Sequence, residues 1–270
     1  APKLEPAATK PESVAPVSVP AATAPVPGQI STESIQAKID DATKELLSLQ
    51  EIVDASPPVR PPEILAEIQK QIDLLVQIKQ IHGQQLSMLK RVESSDTAQK
   101  QAKVNLDKIR LQGPDEKPPY SYVLLDRLRD ELKAEQEQEK SVSGIQASAQ
   151  DFHKRSLSQL EEKAAVYRRV KDTLDANPDP GSATLLQAQL RTALLDRKMA
   201  QEIVTLRELE TKSAQERVET YKLRLQWMEE RIRWIQQTVT FTQADLDAQL
   251  AQYDKAEATL KEEMEKQRKA

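Results

Sequence analysis

The 270-residue sequence contains no cysteine, which excludes disulfides and thiolate metal sites. Only 3% of it is aromatic and it has just 5 glycines, so the β-branched and aromatic clusters bounded by glycine turns that mark strands are missing. No apolar run approaches the ~20 residues needed to span a bilayer. Net charge is −4, with acids and bases interspersed and no basic block or stripe, which argues against nucleic acid as a partner. There is no phosphate-cradling glycine loop and no nucleophile elbow. What is present is 38% hydrophobic and 30% charged, dominated by residues that lose little rotamer freedom in a helix. The composition predicts an all-α protein with a narrow apolar seam in place of a wide interior.

Proline places the boundaries. Residues 1–30 carry Pro2, Pro6, Pro11, Pro16, Pro20, Pro25 and Pro27 among Ala, Val, Thr and Ser, and read as a disordered, polyproline-like linker. The remaining 31–270 form one helical domain. Ser31 or Thr32 caps a first helix whose stripe runs Ile35, Ile39, Ala42, Leu46, Leu49 and Val53, up to the Pro57-Pro58 and Pro61-Pro62 break. A second helix is predicted from Pro62 to Leu111, closed by Gly113-Pro114. A third runs from Ser121 to Ala176 and ends in Asn177-Pro178-Asp179-Pro180-Gly181. Ser182 caps a fourth helix, carried to Thr238, which is apolar on more than one face and should therefore be central. Thr242 and Asp245 resemble a capping box for a fifth, with Leu246, Leu250, Tyr253, Leu260 and Met264 as its stripe.

The expected architecture is an elongated antiparallel helical bundle or coiled coil of about five helices, three long and two half-length. The three long helices should be mutual neighbours. The half-length first and fifth helices should share one column on the fourth side. A polar band is expected part-way along, where residues 93–100, 133–140, 211–220 and 254–257 come to similar heights.

Few residues invite chemistry. With no cysteine, a metal site would need His82 or His153 together with carboxylates, and the layout keeps the two histidines apart. The acids sit at the spacings of solvated ion-paired faces, Glu229 with Arg233 being an example. The sequence therefore implies no catalytic residue, no cofactor and no small-molecule substrate. Trp227 and Trp234 lie one heptad apart on the fourth helix, with Arg224 and Arg231 at the same spacing beside them. Together with Tyr120 and Tyr122 they form a candidate interaction surface for a partner helix or membrane interface. The alternative, which is preferred, is that the indoles close one end of the bundle against those tyrosines.

Four stretches in this order carry a resemblance. They are the paired prolines at 57–62, Lys117-Pro118-Pro119-Tyr120-Ser121-Tyr122-Val123-Leu124-Leu125-Asp126-Arg127-Leu128-Arg129-Asp130-Glu131-Leu132, the helix ending Arg231-Ile232-Arg233-Trp234-Ile235, and Val239-Thr240-Phe241-Thr242-Gln243-Ala244-Asp245-Leu246. Together they resemble the amino-terminal extramembrane region of large bacterial channels of the small-conductance mechanosensitive (MscS-like) family. The resemblance implies a cleaved signal peptide, which fits an opening at Ala1 without methionine, and a periplasmic helical domain of an inner-membrane ion-transport protein. It further implies protein partners or self-association, and membrane contact through segments outside this chain. The pore helix has no counterpart here, so no conducting or gating residue is carried over.

Overall fold

Every helix but one begins where the caps in the sequence place it. The computed structural model describes residues 30–55, 61–176 and 180–269. Among them are five helices: α1 (Thr32–Asp54), α2 (Pro62–Gln112), α3 (Tyr122–Ala176), α4 (Pro180–Gln236) and α5 (Gln243–Lys269). The Ser31 hydroxyl accepts the Ser34 N–H at 3.2 Å, and the Ser34 hydroxyl accepts the Ser31 N–H in return. The Ser121 hydroxyl accepts the Leu124 N–H at 3.1 Å. Helix α4 is the exception, starting at Pro180 instead of after Ser182. A first-turn proline lacks only an N–H that would be unpaired in any case, so the helix absorbs Pro180 and Gly181. All but the last residue of the expected 1–30 linker, and residues 56–60, 177–179 and 270, lie outside the described residues.

The lengths follow the expectation, at 51, 55 and 57 residues for α2, α3 and α4 against 23 and 27 for α1 and α5. Helix α4 is central. Gln71 donates to the Ala188 carbonyl and Gln85 to the Glu202 carbonyl, both pairs 117 residues apart, so α2 runs parallel to α4 in constant register. On the other flank Lys163 meets Asp196, Arg207 lies over Phe152 and Arg224 faces Glu135, which makes α3 antiparallel to α4. Helix α1 is also antiparallel to α4, through Lys38–Glu202 and Glu45–Arg191, and packs chiefly on α2.

Two expectations about neighbours fail. Helices α2 and α3 make no close backbone approach to each other, because α4 buries residues on more than one face and stands between them. Helix α5 does not complete a fourth column beside α1; it touches only α3. The face it would have to cover carries Lys133-Ala134-Glu135-Gln136-Glu137-Gln138-Glu139-Lys140 on α3, which offers almost no apolar area to bury.

Two apolar clusters mark the ends of the core, and α4 carries burial on between them through Val204, Leu206, Leu209, Ala214, Val218 and Met228. Near the α1 end, Ala42, Leu49, Ile68, Leu75, Ile78 and Leu195 form one cluster with their neighbours. At the opposite end, the corner joining α2 to α3 and α4 to α5, Tyr120, Leu125, Leu128, Ile232 and Ile235 form another. Between them α2 buries nothing from Glu93 to Gln101, and α3 nothing from Arg129 to Ser141. The polar runs of α2 and α3 thus sit beside consecutive segments of α4, Glu135 facing Arg224 and Asp96 and Lys100 acting on Glu216. Helix α5 takes no part in the band. Burial raises the Glu216 carboxyl above its ordinary range, and its Oε2 has no hydrogen-bond partner.

Candidate interaction surface

Because α2 and α3 are held apart by α4, a furrow runs between them with α4 as its floor. The floor recurs at helical spacing through Thr192, Asp196, Arg207, Glu210, Ala214, Arg217, Arg224 and Arg231. Its middle section is a cleft of about 540 Å³ walled by Met88 and Arg91 on α2 and by Ile145, Ala149 and Phe152 on α3. Ile145 and Phe152 belong to the apolar stripe read from the sequence, yet they remain 48% and 49% exposed because they face the furrow and not the core. Arg207 pairs with Glu210 at 2.6 Å and lies 5.5 Å from the Phe152 ring centroid, a cation–π distance. Arg91 and Arg217 are exposed and make no ion pair among the described residues.

The six residues singled out in the sequence separate. Arg224 and Trp227 line a further cleft of about 430 Å³ with Glu135 and Met228, Arg224 lying 3.6 Å from Glu135. Arg231 pairs closely with Glu116 and stands 5.3 Å from the Trp227 ring, so these three residues hold the corner loop to α4. Trp234 packs on the α2–α3 corner loop. Its indole covers Gly113, whose φ of 73° favours glycine and whose added Cβ would sit 3.5 Å from the ring. Tyr120 is buried against Ile232 and Ile235, donates its hydroxyl to the Glu116 carbonyl at 2.8 Å, and accepts the Thr240 N–H on its backbone carbonyl at 3.0 Å. Tyr122 is about half exposed. The bundle end is therefore closed by Tyr120 and aliphatic side chains, while the tryptophans cover the α2–α3 loop and furrow. Arg233 lies 4.0 Å from Glu230, not beside Glu229. Sequence reading missed Arg217, one heptad before Arg224; extending the Arg224–Arg231 spacing backward would have found it.

One carboxylate joins two helix starts. Asp245 is 1% exposed, and it accepts the Val123 N–H of α3 at 2.9 Å, the Thr242 N–H at 2.6 Å and the Thr242 hydroxyl at 2.7 Å. Burial opposes its ionisation, but the Val123, Thr242 and Tyr122 N–H groups and the Thr242 hydroxyl outweigh this and hold its pKa below the ordinary range. Beyond this joint α5 is uncovered, with Tyr253 72% and Leu260 61% exposed. Asp245→Ala should therefore speed amide exchange over residues 243–250 and at Val123 while leaving the far end of α2 unchanged. Acid should act in the same direction. A depressed carboxylate supports the fold above its unfolded pKa, and that support fades as pH falls through the folded value. Unchanged exchange at 243–250 in Asp245→Ala would contradict the joint.

A second buried polar node lies among α1, α2 and α4. Glu202 receives Lys38 Nζ at 2.9 and 3.1 Å and Gln85 Nε2 at 3.1 Å, and His82 Nε2 lies 3.4 Å away without hydrogen-bond alignment. Burial pushes this carboxyl upward, but His82, Lys38 and Gln85 together bring it down to about 2. The node ties three helices together, with Glu202, His82 and Gln85 buried and Lys38 half-exposed at its edge. His82 is fully buried on α2, while His153 is half-buried on α3 across α4. Among the described residues no group of three or more His, Asp or Glu is placed to hold a metal, and no helix is long and apolar enough to cross a membrane. No family model, curated protein or solved structure matches the chain.

Proposed function

We propose that the chain is a non-enzymatic structural and interaction module, the periplasmic helical domain of a mechanosensitive channel that tunes assembly, envelope contact or tension response. The carrying observation is the joint at Asp245: a bundle consolidated along α4 hands on to a helix held by one carboxylate, with its apolar stripe uncovered. A jointed helix of this kind suits a domain that must transmit position to whatever follows or binds it. The four stretches quoted above support the channel assignment, and the absence of a membrane-crossing helix among the described residues is compatible with an extramembrane part. The test is the complete parent reading frame. This reading requires apolar segments of about 20 residues downstream of residue 270; a parent frame lacking them would refute it. Deleting residues 31–270 from the parent should then alter survival of hypo-osmotic shock.

The open furrow favours a second reading, a stand-alone coiled-coil scaffold or envelope adaptor. It requires a parent protein ending near Ala270 and a phenotype that depends on a bound partner.

A further inference from the structure

Two surfaces of this molecule lack partners, and they are complementary. One is the stripe of α5, where Leu246, Leu250, Tyr253, Leu260 and Met264 are all substantially exposed. On the helix projection Asp247, Asp254 and Glu265 flank that stripe on one side and Glu263 on the other; Glu257 interrupts it and pairs with Lys261 at 2.5 Å, Arg268 lies at its edge, and Lys255, Lys266 and Lys269 fall on the back with Glu262. The other is the furrow, where the apolar walls Ile145 and Phe152 stand beside Arg91 and Arg217, neither of which has an ion-pair partner among the described residues. One is an amphipathic helix whose apolar-facing half carries more acids than bases. The other is a basic amphipathic groove.

The stripe is short enough to lie within the middle and corner-side sections of the furrow. From Leu246 to Met264 the stripe spans ~27 Å, and the furrow floor from Arg207 to Trp227 spans ~30 Å, at about 1.5 Å per residue. In its own chain the helix does not reach the walls at Ile145 and Phe152 with more than its last turns. It starts beside Val123, locked there by Asp245, whereas the walls at Ile145 and Phe152 lie about 22–29 residues further along α3, or ~33–44 Å. Folded back along α3, its stripe would run beside the charged segment 133–140 and bring only its last turns to the groove.

We infer that α5 of one copy docks into the α2–α3 furrow of a second copy, its stripe on Ile145 and Phe152 and its acids toward Arg91 and Arg217. The contact joins two different surfaces, so it is head-to-tail, and repeating it yields a closed ring or a filament. Locally the docked helix completes a four-helix cross-section with α2, α3 and α4. This inference rests on the interaction-module part of the proposal and not on the channel, so a parent frame without membrane helices would leave it standing.

Sedimentation of the chain across a dilution series tests it, with two charge-reversed variants altered only at exposed positions. Arg91→Glu with Arg217→Glu should weaken association by roughly tenfold or more, as should Asp254→Lys with Glu257→Lys. Mixing the two variants should restore association, because reversed helix then meets reversed groove. Circular dichroism melts matching the parent would show that both variants are folded. A chain that stays monomeric throughout the series would overturn the inference. So would association lost in the α5 variant but intact in the groove variant, which is the signature of α5 pairing with α5.

Discussion

Replacing Leu75 by alanine should cost about 2–5 kcal/mol, the range for emptying a fully buried aliphatic site, and the loss should be confined to one end of the molecule. Leu75 is 0% exposed and packs within the cluster that holds α1 and the first half of α2 on α4. The corner cluster around Leu128 and Ile235 shares no member with it, and residues 93–101 of α2 and 129–141 of α3 contribute no buried side chain. Native-state hydrogen exchange should therefore lose protection over α1 and residues 64–85 while the amides around Leu125–Leu132 keep theirs. Leu128→Ala should give the mirror image. If either substitution lowered protection uniformly, the bundle would be a single cooperative unit and the independence of the two clusters would be wrong.

Glu202→Ala should be the most costly polar substitution, at about 2–4 kcal/mol. It removes the acceptor for Lys38 and the charge facing His82, and it leaves a void at a position that lies on the α4 stripe between Leu195 and Leu209. Gln85 keeps its 2.7 Å bond to the backbone carbonyl of residue 202, and half-exposed Lys38 can return to water, which limits the loss. The sign of the pH dependence follows from the carboxyl lying at about 2, below its ordinary value of 4.5. A group depressed on folding contributes its full stabilisation above its unfolded pKa and loses it as pH falls toward the folded one. Parent protein should thus lose stability between about pH 5 and 2, and Glu202→Gln should show a flatter profile over that window. Urea unfolding at several pH values checks this. Parallel profiles for parent and Glu202→Gln would mean that the node contributes nothing.

Much of this was legible in the residues because helix ends have local causes. Ser31 with Ser34, Ser121, Gly113 and the Thr242–Asp245 pair each satisfy backbone groups within a few positions of themselves, so their effect can be read without knowing the fold. The central place of α4 was legible for a related reason, since a helix apolar on several faces must be surrounded. The placement of α5 was not. Its stripe has heptad spacing, and spacing says that a helix wants a partner without saying whether its own chain supplies one. That depends on the facing surface, and the charged run of residues 133–140 does not supply it. Ile145 and Phe152 illustrate the same limit, as members of a regular stripe that the width of α4 leaves at a furrow. Glu202 looked like one more solvated acid because its burial arises from α1 and α2, far away in sequence. Its position on the apolar stripe of α4 was the available sign.

The absence of cysteine makes the most direct measurement simple. Single cysteines can be introduced as Tyr253→Cys on α5, Phe152→Cys in the furrow and Leu75→Cys in the core, and their maleimide labelling rates compared in protein dilute enough to be monomeric. An uncovered α5 and an open furrow predict rapid labelling at residues 253 and 152, with residue 75 slower by orders of magnitude because it reacts only through opening of the fold. Labelling at residue 253 as slow as at residue 75 would place α5 against its own bundle and contradict the account.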